Sequence, residues 1–199
     1  IKERNPGFGA LEKWPCPPTL TEEASRSKKK GPGVRVYGGL KTLFYNGEIL
    51  WDGDDDGRPL VHDKEERRSW EMIIVLPGVE IIPKFTFSEC ENVKTVIMND
   101  SVKRVEHDAF FRCYSLEFVK LSRNLEFIGE YAFYKCYEVQ ILVIPSTVTD
   151  IGRGAFGCME KIKILALPST SDFENIHDDT FDECYNLQLA KPHGIGMKQ

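Results

Sequence analysis

A phenylalanine recurs at Phe87, Phe110, Phe133, Phe156 and Phe181, in steps of 23, 23, 23 and 25 residues. A period of roughly 20 to 50 residues marks an array of stacked units. Other apolar positions keep the same phase. Five residues before each Phe stands Ile82, Val105, Ile128, Ile151 or Ile176, and eight before it Val79, Val102, Leu125, Val148 or Phe173. Six, nine and eleven residues after it come Val93, Val96 and Met98, then Leu116, Val119 and Leu121, then Val139, Leu142 and Ile144, then Ile162, Leu165 and Leu167. One such cycle cannot bury its own apolar side, so each must lie against the next.

Each cycle is expected to give a short strand and a returning segment that carries the Phe, as a short helix or 3₁₀ turn. Successive strands then stack ~4.8 Å apart. Similar punctuation ends the strands: Leu76-Pro77, Met98-Asn99, Leu121-Ser122, Ile144-Pro145 and Leu167-Pro168. On that punctuation Ile74 and Leu76 take the places that Val96 and Met98 hold one cycle later. The Phe residues become one core column and Cys90, Cys113, Cys136 and Cys184 a second. Zinc sites need ligand pairs two to four residues apart, which this spacing lacks. Parallel side chains on successive rungs would also have to rotate to bridge as disulfides. The cysteines therefore read as small buried thiols.

Written out, the cycles are IIPKFTFSECENVKTVIM, RVEHDAFFRCYSLEFVKL, FIGEYAFYKCYEVQILVI, DIGRGAFGCMEKIKILAL and NIHDDTFDECYNLQLA. The pattern, [AT]-F-x-x-C followed by apolar residues at L-x-x-L-x-L spacing, resembles the BspA-like class of leucine-rich repeats over residues 71 to 190. The stretches FYNGEILW, IIVLPGVEIIP and FVKLSRNLEFIGEYAF are also similar to a diatom subset of that class. The resemblance implies an α/β solenoid, a right-handed β/α superhelix with short parallel strands on its concave face. It also implies a binding or adhesion role with no catalytic residues. Two cycles depart from the pattern. In the fourth, Cys158 comes one position early and Met159 takes the aligned slot. In the fifth, an insertion around Ser171-Asp172 lengthens the turn, and Ala190 and Pro192 replace the last strand apolars, as in a terminal cap.

Residues 1–33 mix Pro, Gly, Lys, Glu and Ser with few bulky side chains, and read as a lead with too little apolar surface to offset its ordering entropy. Residues 34–70 change to β-forming chemistry: Val34 to Tyr37, Gly38-Gly39, Leu40 to Tyr45, Asn46-Gly47, then Glu48 to Trp51. This reads as a β-hairpin covering the apolar end of the array, with Asn-Gly as its strongest turn signal. Lys64 to Trp70 is charged and suits one or two helical turns. Residues 71–190 hold about five cycles, the fifth a cap, and 191–199 form a tail.

Side chains of a strand alternate between core and outside. With Val96 and Met98 inward, Thr95 and Ile97 point to the concave face. The same count puts Ile73 and Val75, Phe118 and Lys120, Ile141 and Val143, and Ile164 and Ala166 there. Most are apolar where a half-exposed sheet should be polar. Contiguous apolar surface marks an interaction site; the competing explanations are β-propensity and cover by the N-terminal segment. A protein partner held on this face is the first functional expectation. Self-association into a structural or adhesive array is the second.

Calcium-dependent binding is a third. Asp52, Asp54, Asp56 and Asp63 fall at positions 1, 3, 5 and 12 of a calcium loop, but Pro59 sits at the eighth and the last ligand is Asp, not Glu. No enzyme motif appears: His107-Asp108 and His177-Asp178-Asp179 occupy different phases of the repeat, and no glycine-rich phosphate loop precedes a helix. No cofactor is expected. A net charge of -5 gives no general attraction to nucleic acid, and Lys28 to Lys30 read as part of a solvated linker. No apolar run reaches the ~20 residues that span a bilayer. No signal segment opens the chain, and unpaired buried thiols fit a reducing compartment; both lean toward an intracellular location.

Overall fold

The computed structural model describes residues 33–37, 39–47, 64–166, 175–177 and 179–190. The chain opens with an antiparallel pair, β1 (Gly33–Tyr37) and β2 (Leu40–Tyr45), followed by α1 (Lys64–Arg68) and β3 (Met72–Val75). Ten short strands follow: β4 (Ile81–Ile82), β5 (Thr95–Ile97), β6 (Arg104–Val105), β7 (Phe118–Lys120), β8 (Phe127–Ile128), β9 (Ile141–Val143), β10 (Asp150–Ile151), β11 (Ile164–Ala166), β12 (Asn175–Ile176) and β13 (Gln188–Ala190). They sort by phase. One ladder runs β1-β2-β3-β5-β7 and resumes as β9-β11-β13, and the two-residue strands form a second, β4-β6-β8-β10-β12. Apart from the β1–β2 pair, every pairing is parallel. This is the expected solenoid, with one short helix among the described residues.

The hairpin turns between Tyr37 and Leu40, because β1 and β2 pair from Gly33↔Phe44 to Tyr37↔Leu40. Asn46-Gly47, the stronger signal in sequence, instead ends β2, and the strand expected over Glu48 to Trp51 lies outside the described residues. β2 then lies parallel to β3 as an additional first rung, Leu43 opposite Ile73. Its Tyr45 ring meets Phe87 edge-on at 5.1 Å between centroids. From there the rings form one spine: Phe87 to Phe110 and Phe110 to Phe133 at 5.0 Å, Phe133 to Phe156 at 5.7 Å, and Phe156 to Phe181 at 5.6 Å. Ring offsets of this size are favourable for stacked aromatics. Phe87 through Phe156 are fully buried.

The returning segments are runs of tight turns, not the short helix or 3₁₀ turn expected. Two positions per cycle show why. Phe85, Asp108, Tyr131 and Gly154, two residues before the Phe, and Glu89, Arg112, Lys135, Cys158 and Glu183, two after it, all have φ between 52° and 61°. That left-handed conformation interrupts an α-helix. It also frees the amides between those positions to reach the next rung: Phe87 N–H donates to the Ala109 carbonyl, Phe110 to Ala132 and Phe133 to Ala155, each at 2.8 Å. Rungs approach closely enough that a Cβ on Gly129 would lie 2.6 Å from the His107 nitrogen, and one on Gly152 2.6 Å from that of Glu130.

The cysteine column holds the same seam. Cys113 Sγ donates to the Phe87 carbonyl at 3.3 Å, Cys136 to Phe110 at 3.4 Å and Cys184 to Phe156 at 3.0 Å. All described cysteines are free. Burial pushes the Cys90 thiol up to about 12, against the opposing pull of Arg67, and holds Cys113 well above its ordinary value. Both thiols therefore stay protonated at neutral pH, with Cys113 as a donor and Cys90 beside the Arg67 guanidinium. In the fourth cycle the buried Met159 fills the slot, and Cys158 takes the left-handed position beside Glu183, 2.8 Å away.

Sequence periodicity undervalued one segment. Arg67 and Trp70 stand one 23-residue step before Cys90 and Val93, and both are buried, with the Arg67 guanidinium donating to the Ser88 carbonyl. The residues around α1 therefore serve as the returning segment of an extra cycle, in which an arginine replaces the thiol at the head of its column.

Candidate interaction face

The register of the main ladder decides which strand residues face out. Met72 lies opposite Thr95, Ile73 opposite Val96 and Ile74 opposite Ile97. On β5 to β7, Thr95 meets Phe118, Val96 meets Val119 and Ile97 meets Lys120. Ile73 and Val75, expected on the outer face, are thus core residues, 0% and 2% exposed. The 23-residue step carries straight back from Val96 to Ile73. Pro77 had suggested a step of 22, because it occupies the second position of its turn while Pro145 occupies the first. The outward residues of β3 are Met72 and Ile74.

The outer face changes along the stack although most of its residues stay apolar. At the first rungs it is closed: Thr42, Phe44 and Ile74 are all buried. Thr95, Ile97 and Phe118 are half-buried, and Lys120 is exposed. At β9 the face opens, with Ile141 41% and Val143 46% exposed on either side of the buried Leu142. Ile164 and Ala166 pair with Ile141 and Val143 in the β9–β11 ladder. The ladder itself is interrupted between β7 and β9.

Polar groups rim the open part. The Gln140, Lys161, Lys163 and Asn186 side chains line an open groove of ≈ 370 Å³ at the entry to β9 and β11. Lys161 is held by Glu138 at 2.6 Å, whereas the Lys163 ammonium lies 3.5 Å from the Gln140 carbonyl oxygen. On another flank, Phe111 stacks on Tyr134 at 5.7 Å and Tyr114 on Tyr137 at 5.3 Å. A Cβ on Gly157 would meet the Tyr134 ring at 2.8 Å, so both faces of that ring are occupied. These aromatics act as clamps between rungs, and Tyr134 offers a ligand only its edge.

The histidines stand in ordinary surface pairs: His107 Nδ1 is 3.9 Å from Glu130, and His177 Nδ1 3.8 Å from Asp179. Asp108 is pushed up to about 6, chiefly by burial, with Glu130 adding and His107 opposing. Among the described residues no group of three or more His, Cys, Asp or Glu could hold a metal ion. The candidate calcium loop, Asp52, Asp54, Asp56 and Asp63, lies outside them. Among the described residues no helix is long and apolar enough to cross a membrane.

The chain belongs to the BspA-type leucine-rich repeat family, whose profile matches residues 66–188 in six copies. The match begins inside α1, in the cycle that carries Arg67 and Trp70. Among solved structures the fold is similar to a leucine-rich cell surface protein from Faecalibacterium prausnitzii, with TM-score 0.57 and 22% identity over 78% of this chain and 38% of that one. It is also similar to a T. pallidum leucine-rich repeat protein, with TM-score 0.58 and 18% identity over 79% and 67% of the two chains. A leucine-rich repeat protein from Bacteroides ovatus gives TM-score 0.58 and 23% identity over 79% and 45%. The chain therefore spans less than half the length of two of these three. No protein with a curated description matches it in sequence.

Proposed function

We propose that this chain is a non-enzymatic protein-binding module that holds its partner on the outer strand face, from Thr95 and Ile97 through Phe118 and Lys120 to Ile141 and Val143, and on to Ile164 and Ala166 by register. The observation that carries the reading is the exposure of Ile141 and Val143 on a rigid ladder whose other face is the core. Apolar side chains fixed in this way lose water on contact without first having to be ordered, which favours association. Membership of a repeat family supports a binding role in general, since extended solenoid surfaces serve that purpose. Capture from native extract with the wild-type chain and with the double variant Ile141→Asp/Val143→Asp tests it. A partner retained by the first and lost by the second, at equal thermal stability, supports this face; equal capture by both rejects it.

A second reading is self-association. Val36, 77% exposed on β1, lies on a strand with one ladder partner among the described residues. Free strand edges template pairing with other chains. Light scattering that shows mass rising with concentration would favour it over the first reading.

A further inference from the structure

Exposed cations outnumber carboxylates on and beside the strands of the outer face, although the whole chain is acidic, and we infer that its partner is an acidic segment with interspersed apolar side chains. The inference rests on the reading that this face is the binding surface. On β5, β7, β9 and β11 and at the residue before each, the exposed charges are Lys94, Glu117, Lys120 and Lys163, three cations to one carboxylate, with Lys120 in an outward strand position and the other three at strand entries. Lys161, in the same groove, is neutralised by Glu138. The chain as a whole carries -5. Lys120 stands one period before Val143, and Lys163 enters β11 beside the exposed Gln140. The two most exposed apolar residues of the face are therefore bracketed by ammonium groups on the neighbouring rungs.

That combination selects between partners. An apolar patch alone accepts any hydrophobic segment. Cations at its margin favour carboxylate-bearing segments, repel basic ones and raise the association rate. The groove lined by Gln140, Lys163 and Asn186 adds the Gln140 amide N–H at the same margin, where a carboxylate set beside an apolar residue is received, while the Asn186 amide already donates to the Glu160 carbonyl at 2.6 Å. Exposed charges act through a screened field, so the preference must weaken with salt while the apolar contribution persists.

Fluorescence anisotropy with three short labelled peptides tests this on the full chain: alternating Leu and Glu, alternating Leu and Lys, and alternating Ser and Glu. The Leu–Glu peptide should bind the wild-type chain best and lose affinity as salt rises. In Lys120→Glu/Lys163→Glu it should bind about tenfold more weakly, while the Leu–Lys peptide gains. Both lysines are exposed, so this variant should melt with the wild type. If Leu–Lys binds the wild-type chain as well as Leu–Glu, and Ile141→Asp/Val143→Asp abolishes both, the charge selection is wrong and the face stands. If Leu–Glu binding survives that apolar double variant, the face itself is wrong. Failure of all three peptides to bind overturns the inference.

Discussion

β3 and β9 are built from the same chemistry, Met72-Ile-Ile-Val75 and Ile141-Leu-Val143, and occupy the same phase of the repeat, yet they differ in what they show to water. On β3 the outward Ile74 is buried; on β9 the outward Ile141 and Val143 are nearly half exposed. Strand propensity explains why both segments are strands and says nothing about this difference. Position in the stack supplies it: the outer column is covered at its N-terminal rungs, where Thr42 and Phe44 are buried as well, and open further on. A binding surface here is thus a stretch of uncovered core-like sequence, which composition alone cannot distinguish from its covered counterpart.

The comparison can be broken most severely at β3. Ile74→Asp places a carboxylate without a partner at a covered outward position and should destabilise by about 3 kcal/mol or more. The same change at Ile141 should stay within about 0.5 kcal/mol of wild type. Chemical denaturation of the two variants side by side measures the contrast, and equal losses would erase it. Phe133→Ala removes the middle of the spine that both regions share and should cost about 3 to 5 kcal/mol. Gly129→Ala drives a methyl into the His107 backbone and should cost about 1 to 3 kcal/mol, with no side chain lost.

The smallest expected effect sharpens the picture of the turns. Burial pushes the pKa of the Asp108 carboxyl up to about 6, above the ordinary carboxyl value near 4. The folded state therefore favours the protonated form, and the stability this group contributes below about pH 4 is lost as pH rises through 6. Asp108→Asn should raise the melting temperature at pH 7.5, and the gain should shrink toward pH 4.5. A gain independent of pH would instead reflect only the ease with which Asn adopts φ near +55°.

The period made the spine, the buried thiols and the displaced Cys158 readable, because each is a consequence of phase. Ile73 and Val75 were assigned to the wrong face through punctuation: Pro77 was aligned with Pro145, although Pro145 opens its turn and Pro77 stands at the following position, where its fixed φ suits the turn. The cycle around α1 was obscured because Arg67 and Trp70 occupy slots that elsewhere hold Cys and Val. Turns replaced the expected helical segments because rung-to-rung amide bonds compete with helical ones, a contest that depends on neighbours 23 residues away. Exposure at Ile141 had no local signal.

The most direct test is solvent accessibility of isoleucine methyls, read by NMR on the methyl-labelled chain with a soluble paramagnetic agent. The account predicts strong broadening at Ile141 and protection at Ile73, Ile74, Ile82 and Ile128. Broadening of Ile73 equal to that of Ile141 would contradict it.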